Sequence, residues 1–265
     1  MKANDFYFKK KYGQNFLKDD CIPNKIVRYS DIPDDTLVIE IGPGRGILTK
    51  ALAMKAKQVL SYEIDTTLKD SLDLLQLQYP NVNVIYDDFL NRNVLDDIKD
   101  YTFQHLYVIA NLPYYITTPI ILKFITEQIN VDRLIVMVQK EVGERFQAVP
   151  GNKQYSSITV FLNYYFHIKK LFDVNRGCFV PQPNVDSVIM LFERKETRLV
   201  LKDPEIFFQL VRDSFQFKRK TIRNNLRCYS LDIVEKVLKK HGFDLTSRAE
   251  EIPLEVFVDI SNNLS

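Results

Sequence analysis

The chain has no tryptophan, only three cysteines and three histidines, and no apolar run near the roughly 20 residues a membrane-spanning helix needs. Each scarcity excludes something. Cys21, Cys178 and Cys228 are too few and too scattered for a disulfide framework or a zinc site. His105, His167 and His241 show no metal-ligand spacing, so no metal is expected. The lysine-rich start, with Lys9, Lys10 and Lys11, lacks the apolar segment of a signal peptide, and a cytoplasmic protein without a membrane partner is expected. Charge of one sign is also missing overall, because 36 Lys and Arg face 34 Asp and Glu, a net charge of +2. Frequent Lys, Asn, Ile and Tyr without tryptophan fits an AT-rich genome.

What is present is ordinary in bulk and specific in detail. With 265 residues the chain suits one substantial domain plus a small one, and 46% hydrophobic with 26% charged residues is typical of a soluble globular protein. The charges are unevenly placed. Arg212, Lys218, Arg219, Lys220, Arg223 and Arg227 cluster near the end with only Asp213 among them. A locally basic surface on a near-neutral protein fits a nucleic-acid partner, and a solvated charged face would produce the same pattern.

The most informative stretch is Val108-Ile109-Ala110-Asn111-Leu112-Pro113-Tyr114-Tyr115. Its β-branched run predicts a buried strand ending at Asn111. Thr117-Thr118-Pro119 then predicts a helix start, with a polar cap and proline at the first helical position. Ligands of open α/β sheets bind outside the carboxyl ends of strands, which is where this amide, proline and ring fall. An aromatic amine such as adenine N6 is a poor nucleophile because its lone pair is delocalised. Two acceptors aimed at its protons, the Asn111 side-chain oxygen and a backbone carbonyl near Pro113, favour a pyramidal nitrogen and free that pair. Pro113 restricts the turn, and Tyr114 offers a flat face for a flipped base. A structural Asn and a core Tyr on a simple turn are the alternative.

The chain upstream reads as a nucleoside-binding sheet. Gln14, Asn15, Phe16 and Leu17 make either a lid over a ligand or a hydrophobic anchor for the terminus. Residues 37–41 predict a buried strand, followed by Gly42-Pro43-Gly44-Arg45-Gly46 and a helix from Ile47. Alternate glycines such as Gly42 and Gly44 let the backbone pass close to a ligand. About 20 residues on, a second strand over 59–63 ends in Glu63, an acid suited to the two hydroxyls of a ribose. A third over 82–86 ends in Asp87-Asp88-Phe89, where Asp88 suits an adenine amino group. Dinucleotide sites show G-x-G-x-x-G; here G-x-G-x-G with Glu40 just upstream is similar to the S-adenosylmethionine loop of class I methyltransferases.

Downstream, residues 133–138 predict a strand and 139–145 a solvent-facing helix with Lys140–Glu144 and Glu141–Arg145 at i,i+4 spacing. Residues 155–166, rich in β-branched and aromatic side chains, predict a core strand. Two prolines make 179–187 a stiff loop, with Phe179 either covering the second face of the base at Tyr114 or filling the core. Residues 187–193 predict the last strand, and the charged segment 193–198 a domain boundary. Beyond Pro204 the pattern is helical, with Phe208, Val211, Phe215, Ile222 and Leu226 on an apolar face and Arg219, Arg223 and Arg227 in a row suited to phosphate.

Seven stretches in order resemble the KsgA/RsmA family, the ribosomal small-subunit adenine dimethyltransferases. They are Gly13-Gln14-Asn15-Phe16-Leu17, Glu40-Ile41-Gly42-Pro43-Gly44-Arg45-Gly46, Asn111-Leu112-Pro113-Tyr114, Gln139-Lys140-Glu141-Val142, residues 179–187, residues 219–226 and Arg248-Ala249-Glu250-Glu251. The resemblance implies an α/β fold, a Rossmann-like seven-stranded sheet of class I S-adenosylmethionine-dependent methyltransferase type, with a small all-α C-terminal domain. The expected division is a catalytic domain over 1–197 and a helical, RNA-contacting domain over 198–265. It further implies that Asn15, Leu17, Gly42, Gly44, Glu63, Asp88 and Asn111 bind S-adenosylmethionine, and that Asn111, Pro113, Tyr114 and Phe179 form the catalytic set. Arg219, Lys220, Arg223 and Arg227 are the expected RNA contacts.

The implied activity is dimethylation of adenine N6 on two adjacent adenosines of 16S rRNA, by a monomer acting on the small ribosomal subunit late in its biogenesis. Departures from the family pattern are mild, Tyr12 where Leu is frequent and Lys218 where Arg is common. Macrolide-resistance methyltransferases of the large subunit are related but usually carry Asn-Ile-Pro-Tyr and lack the stretch over 219–226. A DNA adenine methyltransferase, or an RNA-binding assembly factor without essential catalysis, are the other readings.

Overall fold

The computed structural model describes residues 15–18, 20–196 and 198–265, so Lys9, Lys10, Lys11, Tyr12, Gly13 and Gln14 lie outside the described residues. The chain divides into two compact units. The first, Met1–Lys140 with Lys169–Arg194, contains β1 (Phe16–Leu17), α1 (Cys21–Ser30), β2 (Thr36–Ile41), α2 (Ile47–Ala53), β3 (Gln58–Tyr62) and α3 (Lys69–Gln78). It continues through β4 (Val82–Ile85), α4 (Val94–Ile98), β5 (His105–Asn111), α5 (Thr117–Thr126) and β6 (Arg133–Gln139). The chain leaves this unit at the start of α6 (Lys140–Phe146), forms α7 (Ser157–Tyr165), and returns along β7 (Phe166–Val174). β8 (Phe179–Val180) and β9 (Ser187–Arg194) complete the first unit.

Seven strands form one sheet in the order β4-β3-β2-β5-β6-β9-β7. The pairs β2–β3, β3–β4, β2–β5 and β5–β6 are parallel, and β9 runs antiparallel to β6 from Arg133↔Glu193 to Gln139↔Ser187. Helices cover both faces of such a sheet, so its central strands need apolar residues at every position rather than at alternate ones. All six residues of β2 are buried accordingly, as are five of the seven in β5 and in β6. Val38, Ile109, Ile135 and Met137 anchor the core, with Leu52 of α2 against them. The chain builds outward from β2 through β3 to β4, then crosses to place β5 on the other side of β2. The carboxyl ends of β2 and β5 are therefore a topological switch point, where α/β sheets open a crevice for ligands.

The second unit, Glu141–Ile168 with Lys195–Ser265, adds α8 (Pro204–Ser214), α9 (Ile222–Asn225), α10 (Leu231–Lys240) and α11 (Leu254–Leu264). Its core is aromatic: Phe161 and Tyr164 meet Phe207, and Phe215 lies between Tyr155 and Phe257. Three expectations are corrected here. Residues 155–166 are mostly the helix α7, not a strand. A run of apolar residues buried all round has no period to separate strand from helix, and Ser156 settles it locally by forming a capping box with Thr159. Its core side chains belong to the helical unit, so that unit takes Glu141–Ile168 as well as the chain beyond Arg194, unlike the expected division at 197/198.

The third correction concerns the arginine row. α8 stops at Ser214 and α9 is only four residues long, so Arg219 and Arg227 stand on turns and no continuous helix carries Arg219, Arg223 and Arg227. Buried Asn225 explains the break: its Nδ2 donates to the Ser214 carbonyl at 2.6 Å and the Phe217 carbonyl at 3.4 Å, satisfying groups at the end of α8. The buried face of α8 is Phe207, Leu210, Val211 and Ser214, with Phe208 only partly covered.

Candidate active site

The switch point opens as a cleft of about 1180 Å³, its mouth included, lined by Asn15, Leu17, Gly42, Glu63, Asp88 and Asn111 among others. Three glycines shape one wall. Gly42, Gly44 and Gly46 all have positive φ, between 57° and 76°, which side chains rarely adopt. A Cβ on Gly42 would meet nothing within 4 Å, so the backbone here faces open space in the cleft. A Cβ on Gly44 would stand 2.8 Å from the Phe16 ring, and one on Gly46 would collide with Leu75. The loop is thus close-packed against β1 and α3 while its first glycine stays open to a ligand.

Two buried acids stand behind this loop. Glu63, only 4% exposed, accepts the Gly44 N–H on Oε2 at 3.1 Å and the Asp65 N–H on Oε1 at 2.8 Å. Burial raises its carboxyl pKa, and those amides partly offset the rise. Each oxygen keeps a further lone pair for hydroxyl donors. Glu40, 1% exposed, takes a hydrogen bond from the Ser61 hydroxyl at 2.9 Å; burial pushes its pKa from 4.5 up to about 7. Asp88, at the end of the loop after β4, accepts the Leu90 N–H on Oδ1 at 3.0 Å. A nucleoside fits this acceptor set: carboxylate lone pairs at Glu63 for vicinal hydroxyls, a carboxylate at Asp88 for an amino group, and apolar Ile64, Phe89 and Leu90 for a ring.

Asn111, which also lines the cleft, ends β5. Its Nδ2 donates to the Asn15 backbone carbonyl at 3.2 Å, which fixes the amide and leaves Oδ1 as the acceptor end. The Pro113 carbonyl accepts the Ile116 N–H and the Thr117 hydroxyl, both at 3.2 Å, so the turn into α5 is tied to its helix. That helix begins at Thr117 with Pro119 inside its first turn, two residues later than the expected proline position, and Ile116 provides no side-chain cap. Tyr114 Oη lies 2.8 Å from the hydroxyl of fully buried Ser187, at the start of β9. Burial raises the pKa of the Tyr114 phenol, which therefore stays protonated and able to donate.

Asn15, Leu17, Gly42, Gly44, Glu63, Asp88, Asn111, Pro113 and Tyr114 all line the one cleft. Phe179 does not. It is 1% exposed, packs in the core, and pairs with Leu17 where β8 meets β1 antiparallel. Neither face of its ring is open to a base, so the expected sandwich with Tyr114 is not formed, and its place is that of a core residue under residues 15–17. Arg219, Lys220, Arg223 and Arg227 are exposed in the second unit and are not among the cleft residues. Sequence reasoning missed the Ser187–Tyr114 pair, separated by 73 residues, because nothing local signals it. It also missed Tyr115 and Ile64 on the cleft wall. Among the described residues, no group of three or more His, Cys, Asp and Glu gathers as a metal site would require, and no helix is long and apolar enough to cross a membrane.

A mostly parallel seven-stranded sheet with one antiparallel insertion, a G-x-G-x-G turn after β2 and an acid after β3 define a class I S-adenosylmethionine-dependent methyltransferase. The family Ribosomal RNA adenine dimethylase matches residues 5–265, and the chain belongs to it. It is 42% identical over 273 residues to the Ribosomal RNA small subunit methyltransferase A of Geobacillus sp. (strain WCH70), covering all of this chain and 94% of that one. The protein of the same description from Bacillus cytotoxicus is 42% identical over 268 residues, 98% of this chain and 92% of its own. Among solved structures, a dimethyladenosine transferase from Plasmodium falciparum superimposes with a TM-score of 0.75 at 26% identity, covering 92% and 95% of the two chains. The 23S rRNA methyltransferase ErmE gives 0.70 at 27% identity, over 94% of this chain and 99% of its own.

Proposed function

We propose that this enzyme dimethylates the N6 amino group of two adjacent adenosines in small-subunit 16S rRNA, with S-adenosylmethionine as methyl donor. It works as a cytoplasmic monomer late in small-subunit biogenesis. The observation that carries the chemistry is the amide of Asn111, whose Nδ2 is committed to the Asn15 carbonyl so that Oδ1 is the acceptor. Asn111 Oδ1 takes one N6 proton in a hydrogen bond. The Pro113 carbonyl is occupied within the turn, so the Leu112 carbonyl is the second acceptor. For the first transfer, holding both protons pyramidalises the nitrogen and turns its lone pair toward the methyl group. The proton displaced by the methyl leaves to water, and the monomethylated amine is held for the second transfer by its one remaining N–H. Tyr114 supports the ring by stacking, its plane held by Ser187.

Other residues of the cleft hold the donor. Glu63 accepts the ribose hydroxyls, Asp88 the adenine amino group, and Gly42 admits the chain of the cofactor past a bare backbone. When bound, S-adenosylmethionine supplies an activated methyl group. The protein contributes position and fixed dipoles, the usual source of rate when the reactive group is borrowed. In the second unit, Arg219, Lys220, Arg223 and Arg227 contact RNA phosphate, which positions the substrate without reading its sequence.

The test offers labelled S-adenosylmethionine together with undermethylated small subunits, large subunits or duplex DNA. Dimethyladenine in small-subunit RNA is the expected result. Label in large-subunit RNA, the substrate in the name of ErmE, would reassign the enzyme to that class, and label in duplex DNA would make it a DNA methyltransferase. Cofactor binding without transfer to any substrate would leave an assembly factor.

A further inference from the structure

We propose that Tyr115 is a second stacking platform in the cleft, one that holds the nucleobase next to the target adenine in single-stranded RNA. The proposal rests on the RNA-methyltransferase reading above. Tyr114 and Tyr115 are consecutive and both line the cleft, but their environments differ. Tyr114 is half-buried, with its hydroxyl on Ser187. Tyr115 is 59% exposed, one of the most exposed large apolar side chains of the first unit.

The backbone under Tyr115 is held. Pro113 fixes its own φ, and its carbonyl takes the Ile116 N–H and the Thr117 hydroxyl on the far side of Tyr115. A tyrosine on a fixed backbone has two rotatable side-chain bonds left to order, so stacking on it costs little entropy. The ligand matching such a ring is flat, aromatic and polar at its edges, which describes a nucleobase. RNA-binding proteins read single strands by stacking splayed bases on aromatic side chains.

Flipping a base creates the need for such a platform. A base drawn out of its stack leaves its neighbour with one face uncovered. Tyr114 receives the flipped base, and Tyr115, one residue along the same wall, covers the neighbour. Where two adjacent adenosines are modified, that neighbour is the next substrate, and the platform keeps it at the cleft mouth between transfers.

The experiment compares the full-length chain with Tyr115→Phe, Tyr115→Leu and Tyr115→Ala in methylation of undermethylated small subunits. A single-stranded oligoribonucleotide with 2-aminopurine beside the target adenosine supplies a stacking signal. A stacking role predicts that Phe keeps the KM for the particle and the fluorescence quench. Leu and Ala should raise that KM roughly 30-fold, a mid-range stacking loss, abolish the quench, and leave the KM for S-adenosylmethionine unchanged. Leu retains apolar bulk, so a packing role would spare it where a stacking role would not. Equal particle KM and equal quench across all variants would overturn the proposal. If the wild-type chain methylates no RNA at all, the underlying reading fails, a result distinct from wild-type activity that is indifferent to Tyr115.

Discussion

Asn111 carries the acceptor that the chemistry most needs, and its amide is oriented by a backbone carbonyl 96 residues away. Asn111→Ala should lower single-turnover methyl transfer by on the order of 10²-fold, the usual cost of one preorganised hydrogen-bonding group. Thermal unfolding should stay within a few degrees, because the side chain sits at a cleft wall. Transfer within three-fold of wild type would remove Asn111 from the mechanism. Ser187 acts one step back, through the Tyr114 hydroxyl at 2.8 Å. Ser187→Ala and Tyr114→Phe should each weaken RNA binding to a similar extent, and the double variant should be no worse than either, since one bond is lost in all three. Additive losses would mean that the two hydroxyls work independently. Glu40 makes a pH-dependent prediction. Its pKa is about 7 when folded against 4.5 ordinarily, so the native state binds more protons than the unfolded state between those values. Stability then falls as pH rises through that window, by up to about 3 kcal/mol, and stays lower above it. Glu40→Gln keeps an acceptor for Ser61 without the charge, and should stabilise the protein at pH 8 but hardly at pH 4.5, as read by urea denaturation.

At the scale of elements, the ribbon of β1 and β8 joins residues 16 and 17 to 179 and 180, and so seats Phe16 against Gly44 of the glycine loop. Phe179 is the buried centre of that ribbon, which recasts its contribution as packing. Phe179→Ala should therefore cost about 3–5 kcal/mol in urea unfolding, as large aromatic truncations in cores do. Phe179→Leu, which keeps most of the volume, should recover most of the stability and also most of the RNA affinity. Lost affinity in a stable Phe179→Leu protein would return the ring to the base. The two misread elements have separate causes. The α7 segment lacked a period because it is buried on most sides, and the break between α8 and α9 depends on Asn225 reaching back 11 residues to the Ser214 carbonyl.

For the whole molecule, a net charge of +2 makes attraction to RNA depend on where charges sit rather than on how many there are. Replacing Arg219, Lys220 and Arg223 together with Gln should flatten the slope of log affinity against log salt by about 2, at roughly 0.7 per single-strand phosphate contact. Cofactor affinity should not change. An unaltered slope would place the RNA on another surface. What the sequence by itself determined is the class of molecule and most residues of its cleft: strand runs ending at Ile41, Glu63, Tyr86 and Asn111, glycines where positive φ is needed, and acids at or just after successive strand ends. These are local signals, since periodicity, turn chemistry and strand-end position act within a few residues. The tertiary structure alone decided which of these groups are oriented and which are covered. It gave Asn111 its donor partner, Tyr114 its serine and Phe179 its burial, and it joined Glu141–Ile168 to the helical unit. Each of those outcomes depends on side chains that meet across tens of residues, where burial and hydrogen-bond satisfaction are settled only once the sheet has closed.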